Sequence, residues 1–166
     1  MKKTDKNAET GFEWLVMEQK STIYSVCYMF AANKAEADDL FQEVLINLWQ
    51  GYEKFRGDSN VRTWVYRVSL NTCLSYKRKK HLRTVPLDLS PDVLNESTPI
   101  GRQNLLLHRR ITQLEPFDRA IILLWLEDMS YDDIAAIAGI SVKALATRLV
   151  RIRKKLISLN SSSSND

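Results

Sequence analysis

The residues with the most evident chemistry form a run of cations near the end of the chain. Six of them fall between positions 142 and 156 with no acidic residue among them: Lys143, Arg148, Arg151, Arg153, Lys154 and Lys155. Four apolar residues share the segment at i, i+4, i+7 and i+11, namely Leu145, Leu149, Ile152 and Leu156. That spacing predicts an amphipathic helix with one buried stripe and a basic outer face. Such a face can bind nucleic-acid phosphates, and a solvated face on an ordinary helical hairpin is the alternative.

The residues just before this helix predict how it is positioned. Ser130 can cap a short helix, with Asp133 completing a variant capping box, and Gly139 supplies the backbone freedom required where that helix ends. Ser141 can then cap the basic helix. A capped short helix, a glycine turn and a cationic second helix predict a helix-turn-helix that enters the major groove of DNA.

A second group of cations is interleaved with aromatic and amide side chains. The segment 77–83, KRKKHLR, holds five cations in seven residues. Upstream, a row at i, i+4, i+7 and i+11 consists of Arg67, Asn71, Leu74 and Arg78, with Arg62, Trp64, Tyr66 and Lys77 nearby. Cations can follow phosphates while aromatic and amide groups meet unpaired bases, so we interpret a helix over 61–80 as a site for single-stranded nucleic acid. The alternatives are that Trp64 is a core residue and that the arginines are solvated.

A third segment is acidic. The helix predicted from Lys34 to Gln50 buries an apolar side, and its other side collects Glu36, Asp39, Gln42, Glu43, Ile46 and Asn47. An isoleucine among acids favours a docking surface for a partner helix, and a solvated acidic face is the alternative. Asp38, Asp39 and Glu43 could be imagined as metal ligands, but no histidine or further acid joins them at a useful spacing. We therefore predict no metal site, no cofactor and no catalytic residue.

The composition restricts the class of protein. The 166 residues include five Gly and four Pro, and 45% are apolar, which favours helical cores over a turn-rich β fold. The net charge of +4 is modest, so the clustering of charge matters more than its total. Cys27 and Cys73 are interpreted as core residues in a reducing compartment. No apolar run approaches the ~18 residues of a membrane span and no signal-peptide pattern opens the chain, so we expect a cytoplasmic protein without membrane insertion.

The order of these segments predicts an all-α chain of two small helical bundles. Residues 1–10 are expected to be frayed, and helices to span 11–32, 34–50 and 61–80, the third capped by Asp58 or Ser59. The segment 84–100 lacks Lys and Arg and contains Pro86, Pro91 and Pro99, which predicts a flexible acidic linker. The domains are therefore placed at 11–83 and 101–158, the second around a nearly all-apolar helix over 117–126, with Pro116 well placed at its first turn. Residues 159–166, which include SSSSND, are expected to form a disordered tail.

Three stretches, in this order, resemble the sigma-70 family of bacterial RNA polymerase sigma factors, in its small extracytoplasmic-function (ECF) class. Residues 37–44, ADDLFQEV, resemble the D-L-x-Q-E pattern of the family's core-binding helix. Residues 55–80, beginning FRGDSNVRTWVYR, resemble the segment that melts promoters and recognises the −10 element. Residues 114–156, from LEPFDR to RKKL, resemble the domain that binds the −35 element. The three matches cover most of residues 11–157.

The resemblance implies a transcription initiation factor that binds core RNA polymerase and reads the −35 element as duplex and the −10 element as melted single strand. Core binding would use Asp39, Gln42, Glu43 and Ile46 against the β′ clamp helices, with the β flap as a further contact. Binding of the −10 element, including a flipped base, would use Arg56, Asn60, Arg62, Trp64, Tyr66, Arg67, Asn71, Lys77, Arg78 and Lys80. Binding of the −35 element would use Ser141, Lys143, Ala144, Thr147, Arg148 and Arg151. An anti-sigma factor is the implied regulator.

The chain departs from the family pattern where sequence preference is decided. The family commonly shows S-V-G-T-V-K-S-R, whereas residues 141–148 read SVKALATR, so Ala146 replaces the usual lysine and Lys143 comes earlier. The −35 preference stays open, as does the −10 preference, because Asn60 and Arg62 stand where apolar or aromatic residues are frequent. The alternative function is a stand-alone helix-turn-helix regulator that acts without polymerase, and an enzyme acting on nucleic acid is a further alternative.

Overall fold

The computed structural model describes residues 2–55, 60–81 and 99–162, with side chains for 8–55, 60–79 and 106–160. Within these residues the chain forms seven α-helices and no strand, which confirms the all-α class. They are α1 (Lys2–Phe30), α2 (Lys34–Tyr52), α3 (Val61–His81), α4 (Pro99–Thr112), α5 (Pro116–Leu126), α6 (Tyr131–Ala138) and α7 (Val142–Ser162). None of these helices is both long and apolar enough to cross a membrane. The chain divides into two compact units, residues 1–90 and 91–166.

The first unit is a three-helix bundle in which each helix packs against the other two. Its core is formed by side chains at most 2% exposed: Ile23, Val26, Cys27, Phe30, Leu40, Val44, Leu48, Val65, Tyr66, Leu70 and Cys73. Burying a side chain of leucine or valine size contributes about 1.5–3 kcal/mol. Cys27 and Cys73 are both buried, as predicted. A side-chain hydrogen bond with Cys27, together with burial, raises the pKa of Cys73, so that thiol stays protonated.

A buried carboxylate fixes the junction between α1 and α2. Asn33 caps α2, because its Oδ1 accepts a hydrogen bond from the Glu36 backbone N–H at 2.8 Å. The Glu36 side chain accepts from the Ala32 backbone N–H and, at 2.5 Å, from the hydroxyl of Tyr76 on α3. We expected Glu36 on the open acidic face, but it is only 7% exposed because these two donors hold it inside the bundle.

Two boundaries in the first unit differ from the predictions. Residues 2–10 are helical rather than frayed, because Phe12 anchors this end of α1 on α2: its ring lies 5.0 Å from Trp49 and 5.4 Å from Tyr52. The third helix begins at Val61, and its cap is Asn60, whose Oδ1 accepts from the Arg62 backbone N–H at 3.0 Å. The predicted caps at 58 and 59 lie outside the described residues.

The second unit consists of α4 to α7, with α5 packed against the other three helices. Its core residues are at most 2% exposed: Ile111, Leu114, Ile121, Ile122, Leu124, Ile134, Leu145, Leu149 and Ile152. Pro116 opens α5, as predicted. Arg119 is buried in this unit, and its Nη2 donates to the carbonyl oxygens of Thr112 at 2.7 Å and Leu114 at 3.1 Å. Burial lowers the pKa of Arg119, whose hydrogen bonds satisfy carbonyls beside the end of α4.

The helix-turn-helix is confirmed in its local detail. The Ser130 side chain accepts from the Asp133 backbone N–H, and Gly139 ends α6 in the left-handed conformation at φ 71°. The Ser141 side chain accepts from the Ala144 backbone N–H at 3.1 Å and so caps α7.

The ends of the second unit differ from the predictions. The tail predicted at 159–166 is helical as far as Ser162. The reason is a contact with α4, because Arg110 Nη2 donates to Asn160 Oδ1 at 2.6 Å. The predicted linker at 84–100 lies outside the described residues except for its last two positions, which already belong to α4.

Candidate partner-binding and nucleic-acid surfaces

The outer side of α2 brings together the four residues predicted to dock on a partner. These residues, Asp39, Gln42, Glu43 and Ile46, are all exposed, and their i, i+3, i+4 and i+7 spacing places them on one face. Ile46 is 52% exposed, and it shares this face with two carboxylates and an amide. The face, which we call the acidic face, therefore offers one apolar contact surrounded by hydrogen-bond acceptors.

A groove of about 610 Å³ runs between α2 and α3 beside the acidic face. Asp39 and Glu43 line it from α2, whereas Asn71, Ser75 and Lys79 are among the residues that line it from α3. A hydrogen bond of 2.9 Å from Asn47 Nδ2 to Thr72 Oγ1 joins the two helices there. The groove brings Asn71, predicted to bind nucleic acid, next to two carboxylates predicted to bind a protein.

The nucleic-acid residues predicted on α3 differ in exposure. Asn60, Arg62, Asn71 and Arg78 are exposed, and Trp64, Arg67 and Lys77 are half-buried. Tyr66 is only 2% exposed, so its expected role as a base contact is wrong. Its ring is buried because α3 packs against both α1 and α2, and the guanidinium of Arg62 lies over it at 5.8 Å. The side chains of Arg56 and Lys80 lie outside the described residues.

Trp64 was considered either as a core residue or as a contact for unpaired bases, and its position is intermediate between the two. Its ring stacks on Phe55, with centroids 4.7 Å apart and planes inclined by 24°. Gly51 allows the approach of α2, because a Cβ there would lie 3.2 Å from the Trp64 ring. One face of the indole is therefore packed within the first unit, while the side chain as a whole remains half-exposed.

The outer face of α7 carries most of the residues predicted for duplex DNA. Ser141, Lys143, Ala144, Thr147 and Arg151 are all exposed. These positions begin at the N-terminal end of the helix, which is the end that contacts bases in helix-turn-helix proteins. Their side chains are therefore available to a duplex that approaches this face.

Two arginines of α7 are instead held against α5. Arg148 Nε donates to Asp118 Oδ1 at 2.5 Å, and its guanidinium lies 4.6 Å from the Phe117 ring. The Arg153 guanidinium similarly lies 5.2 Å from the Trp125 ring. In this structure the Arg148 side chain fastens α7 to α5 and is 29% exposed, and its contact with the −35 element stays a prediction.

The sequence interpretation missed one further residue on this outer face. Val150 is 52% exposed and follows Lys143 at i+7, and Lys154, already counted among the basic residues of this helix, is exposed at i+11. That helical spacing was the signal that could have found Val150. On α3, Ser75 was missed although it follows Asn71 at i+4, and Lys79, which follows at i+8, had been considered only as part of the basic run 77–83.

The described side chains contain no group of three His, Cys, Asp or Glu residues arranged to hold a metal ion.

Both units of the chain are similar to families of known proteins. The family model for Sigma-70 region 2 matches residues 15–83, and that for Sigma-70, region 4 matches residues 104–156. The chain is 31% identical over 133 residues to the ECF RNA polymerase sigma factor SigG of Mycobacterium tuberculosis (strain CDC 1551 / Oshkosh), with 75% of this chain and 35% of that protein covered. It therefore spans only about a third of the length of that relative.

A second relative is covered almost completely. The ECF RNA polymerase sigma-E factor of Escherichia coli (strain K12) is 27% identical over 175 residues, covering 94% of this chain and 90% of that protein. Among solved structures, the sigma factor RpoE in complex with the anti-sigma factor NepR from Bartonella quintana aligns with a TM-score of 0.77 at 20% identity. That alignment covers 91% of this chain and 97% of the other, and at this identity it shows the fold alone.

Proposed function

Because this chain belongs to the sigma-70 family of RNA polymerase sigma factors, we propose that it is an ECF-type initiation factor that binds core RNA polymerase and directs it to specific promoters. The observation that carries this proposal is the acidic face of α2, with its exposed Ile46, within the unit matched by Sigma-70 region 2. In this role the polymerase performs the chemistry, and the chain supplies promoter recognition and strand opening.

The acidic face suits a helical partner that carries cations around an apolar side chain. Asp39 and Glu43 would pair with the cations, and Ile46 would take the apolar contact. We assign this partner to the β′ clamp helices of the polymerase, with a further contact on the β flap. The neighbouring groove gives the partner helix a second wall on α3, formed by Ser75 and Lys79.

The exposed residues of α3 suit single-stranded DNA of the −10 element. Arg62 and Arg78 would bind phosphates, and Asn71 would hydrogen-bond to an unpaired base. Trp64 and Arg67 would contact the strand with their exposed portions. Flipping a base out of the duplex costs a few kcal/mol, which these contacts would offset.

The outer face of α7 suits the duplex −35 element. An exposed helix that opens with Lys143 and carries Thr147 and Arg151 can enter a major groove, with its cations on phosphates and its shorter side chains on base edges. Binding by α7 would be strongly salt-dependent, because each neutralised phosphate releases counterions.

We also propose that an anti-sigma protein inhibits this factor. The structural relative from Bartonella quintana was solved with such a protein. The acidic face and its groove would be unavailable to polymerase when covered by an inhibitor, which would give a cell a means of keeping the factor inactive in the cytoplasm.

The test is co-elution of the full chain with core RNA polymerase, using Asp39→Arg and Glu43→Arg. Each reversal places a cation where the partner also presents cations, so we expect at least a tenfold loss of affinity. Glu13→Arg is the matched control, because Glu13 is an exposed acid on α1 of the same unit. It should co-elute like the wild type.

The competing function gives a different result. A stand-alone regulator would shift duplex DNA without polymerase, and neither reversal would change that binding. Failure of the wild-type chain to co-elute, together with tight binding to duplex DNA alone, would contradict the proposed function.

A further inference from the structure

The contacts of α7 with α5 determine which side chains can reach a DNA duplex. The carboxylate of Asp118 and the ring of Phe117 hold Arg148, the only arginine in the first two turns of α7. Ser141 uses its side-chain oxygen to cap the helix. Two of the polar groups that could read base edges at this end of the helix, the Arg148 guanidinium and the Ser141 hydroxyl, are therefore occupied, and Lys143 remains as an exposed cation.

Two exposed residues on the outer face near the N-terminal end of α7 present methyl groups. Thr147 is exposed, and its Oγ1 donates to the Lys143 carbonyl oxygen at 3.1 Å, which leaves its methyl as the group available to a ligand. Val150 is 52% exposed and lies three residues on, about one turn away on the same face. Valine is stiff at χ1, so its two methyls are held in a defined position.

Two exposed cations flank these methyls along the helix. Lys143 precedes Thr147 by one turn, and Lys154 follows Val150 by one turn. Cations at both ends of a short apolar surface can bind phosphates on the two sides of a groove and bring the surface between them onto the bases. This arrangement distinguishes Val150 from an isolated surface valine, which would require no explanation.

The chemistry of the major groove identifies the base that suits such a surface. Guanine is read by a bidentate arginine or lysine, and adenine by asparagine or glutamine, whereas the C5-methyl group of thymine is read by apolar contacts. Asparagine and glutamine are absent from positions 141–151, and the single arginine before 151 is held by Asp118. On the basis of the proposed −35 function, we propose that Val150 and the methyl of Thr147 read thymine methyl groups in the −35 element.

The experiment uses the full chain bound to core RNA polymerase. Promoter duplexes with a randomised −35 region are selected for binding, and each thymine of the selected sequence is then replaced singly by deoxyuridine, which lacks only the methyl. We expect at least one replacement to lower affinity about fourfold, the effect of losing one buried methyl-sized group. Val150→Ala should lower the affinity for the thymine duplex to a similar extent, and it should abolish the effect of that replacement.

Two further variants separate this role from others. Thr147→Ser keeps the hydroxyl and removes the methyl, so it should reduce the sensitivity to a second thymine. Lys143→Ala should weaken thymine and deoxyuridine duplexes equally, because a phosphate contact carries no sequence information.

The outcomes distinguish this inference from the function on which it rests. Selection of a −35 sequence whose binding is indifferent to every deoxyuridine replacement would overturn the thymine inference and leave the proposed function intact. A difference between thymine and deoxyuridine that persists unchanged in Val150→Ala and Thr147→Ser would overturn the assignment of these residues. If the polymerase complex selects no sequence upstream of the start site, the proposed function and the inference fail together.

Discussion

The helices α3 and α7 are each 21 residues long and rich in cations, and each is proposed to face DNA, yet they are packed differently. The buried residues of α3 cover about half of its circumference: Thr63, Val65, Tyr66, Ser69, Leu70, Thr72 and Cys73. Those of α7 form a narrow stripe: Leu145, Leu149 and Ile152. The surface that α3 can offer to a ligand is therefore narrow, and that of α7 is wide.

The difference also affects what the polar residues do. On α3, Thr72 hydrogen-bonds to Asn47 of α2, and Tyr76 hydrogen-bonds to the buried Glu36. On α7, the residues with structural roles are arginines that lie across the rings of α5. A residue type that suggests DNA binding can thus serve the fold on either helix, and mutations should separate the two uses.

The largest effect on stability should come from replacing Tyr66, which lies on the buried side of α3. Its comparison with a residue on the exposed side of the same helix tests the difference between the two sides. Tyr66→Ala leaves a cavity in the first unit and should reduce its stability by about 3–5 kcal/mol. Arg62→Ala removes an exposed side chain that lies over the Tyr66 ring, so it should cost only about 0.5–1 kcal/mol. Amide hydrogen exchange within α1–α3 of the full chain measures both effects, and equal protection in the two variants would contradict the burial of Tyr66.

The contrast explains how much of the fold could be predicted from sequence. The helix-turn-helix was predicted in detail because its signals are local: Ser130 and Ser141 cap helices, Gly139 adopts positive φ, and α7 buries one stripe. Tyr66 was misplaced because tyrosine suits either a core or a DNA surface. Only the packing of α3 against two helices decides between them.

The candidate site, like the fold, could be predicted from sequence only where its residues lie on one helix. The acidic face was found because its four members share one helical face and Ile46 stands out among acids. The pairing of Arg148 with Asp118 could not be found, because the partners are 30 positions apart in the chain and neither is unusual on its own helix. Such pairs depend on tertiary structure, which helical periodicity does not report.

A second prediction concerns Arg119, the buried cation of the second unit. Arg119→Met keeps much of the side-chain volume but leaves the carbonyl oxygens of Thr112 and Leu114 without their donor. It should lower the stability of this unit by about 2 kcal/mol. Arg109→Met is the control on α4, because Arg109 is exposed. Hydrogen exchange in α4 and α5 should increase only in the Arg119 variant, and comparable exchange in the two variants would contradict the structural role.

A third prediction uses pH to probe the polar contacts of α3. Burial, and then the hydrogen bond to Glu36, raise the pKa of the Tyr76 hydroxyl above its usual value near 10. A raised pKa in the folded state means that this contribution is complete below pH ~10 and is lost as the pH rises further. Tyr76→Phe should cost about 1.5 kcal/mol at pH 7, and the difference from the wild type should shrink above pH 10. A difference that is constant from pH 7 to 11 would contradict this interpretation.

The smallest effects on stability should come from replacing two arginines of α7. These two replacements should also distinguish most clearly a residue that stabilises the fold from one that binds DNA. Arg148→Ala removes a partly exposed ion pair and a cation–π contact, so it should cost about 1 kcal/mol. Arg151 is exposed, so Arg151→Ala should leave stability within about 0.5 kcal/mol while lowering the salt dependence of promoter binding by about one phosphate contact. Urea unfolding and salt titrations of the polymerase complex measure the two effects.

The reverse pattern, in which Arg148 changes the salt dependence and Arg151 the stability, would mean that Arg148 leaves Asp118 when DNA binds. The wide surface of α7 would then include one more cation than the free protein presents.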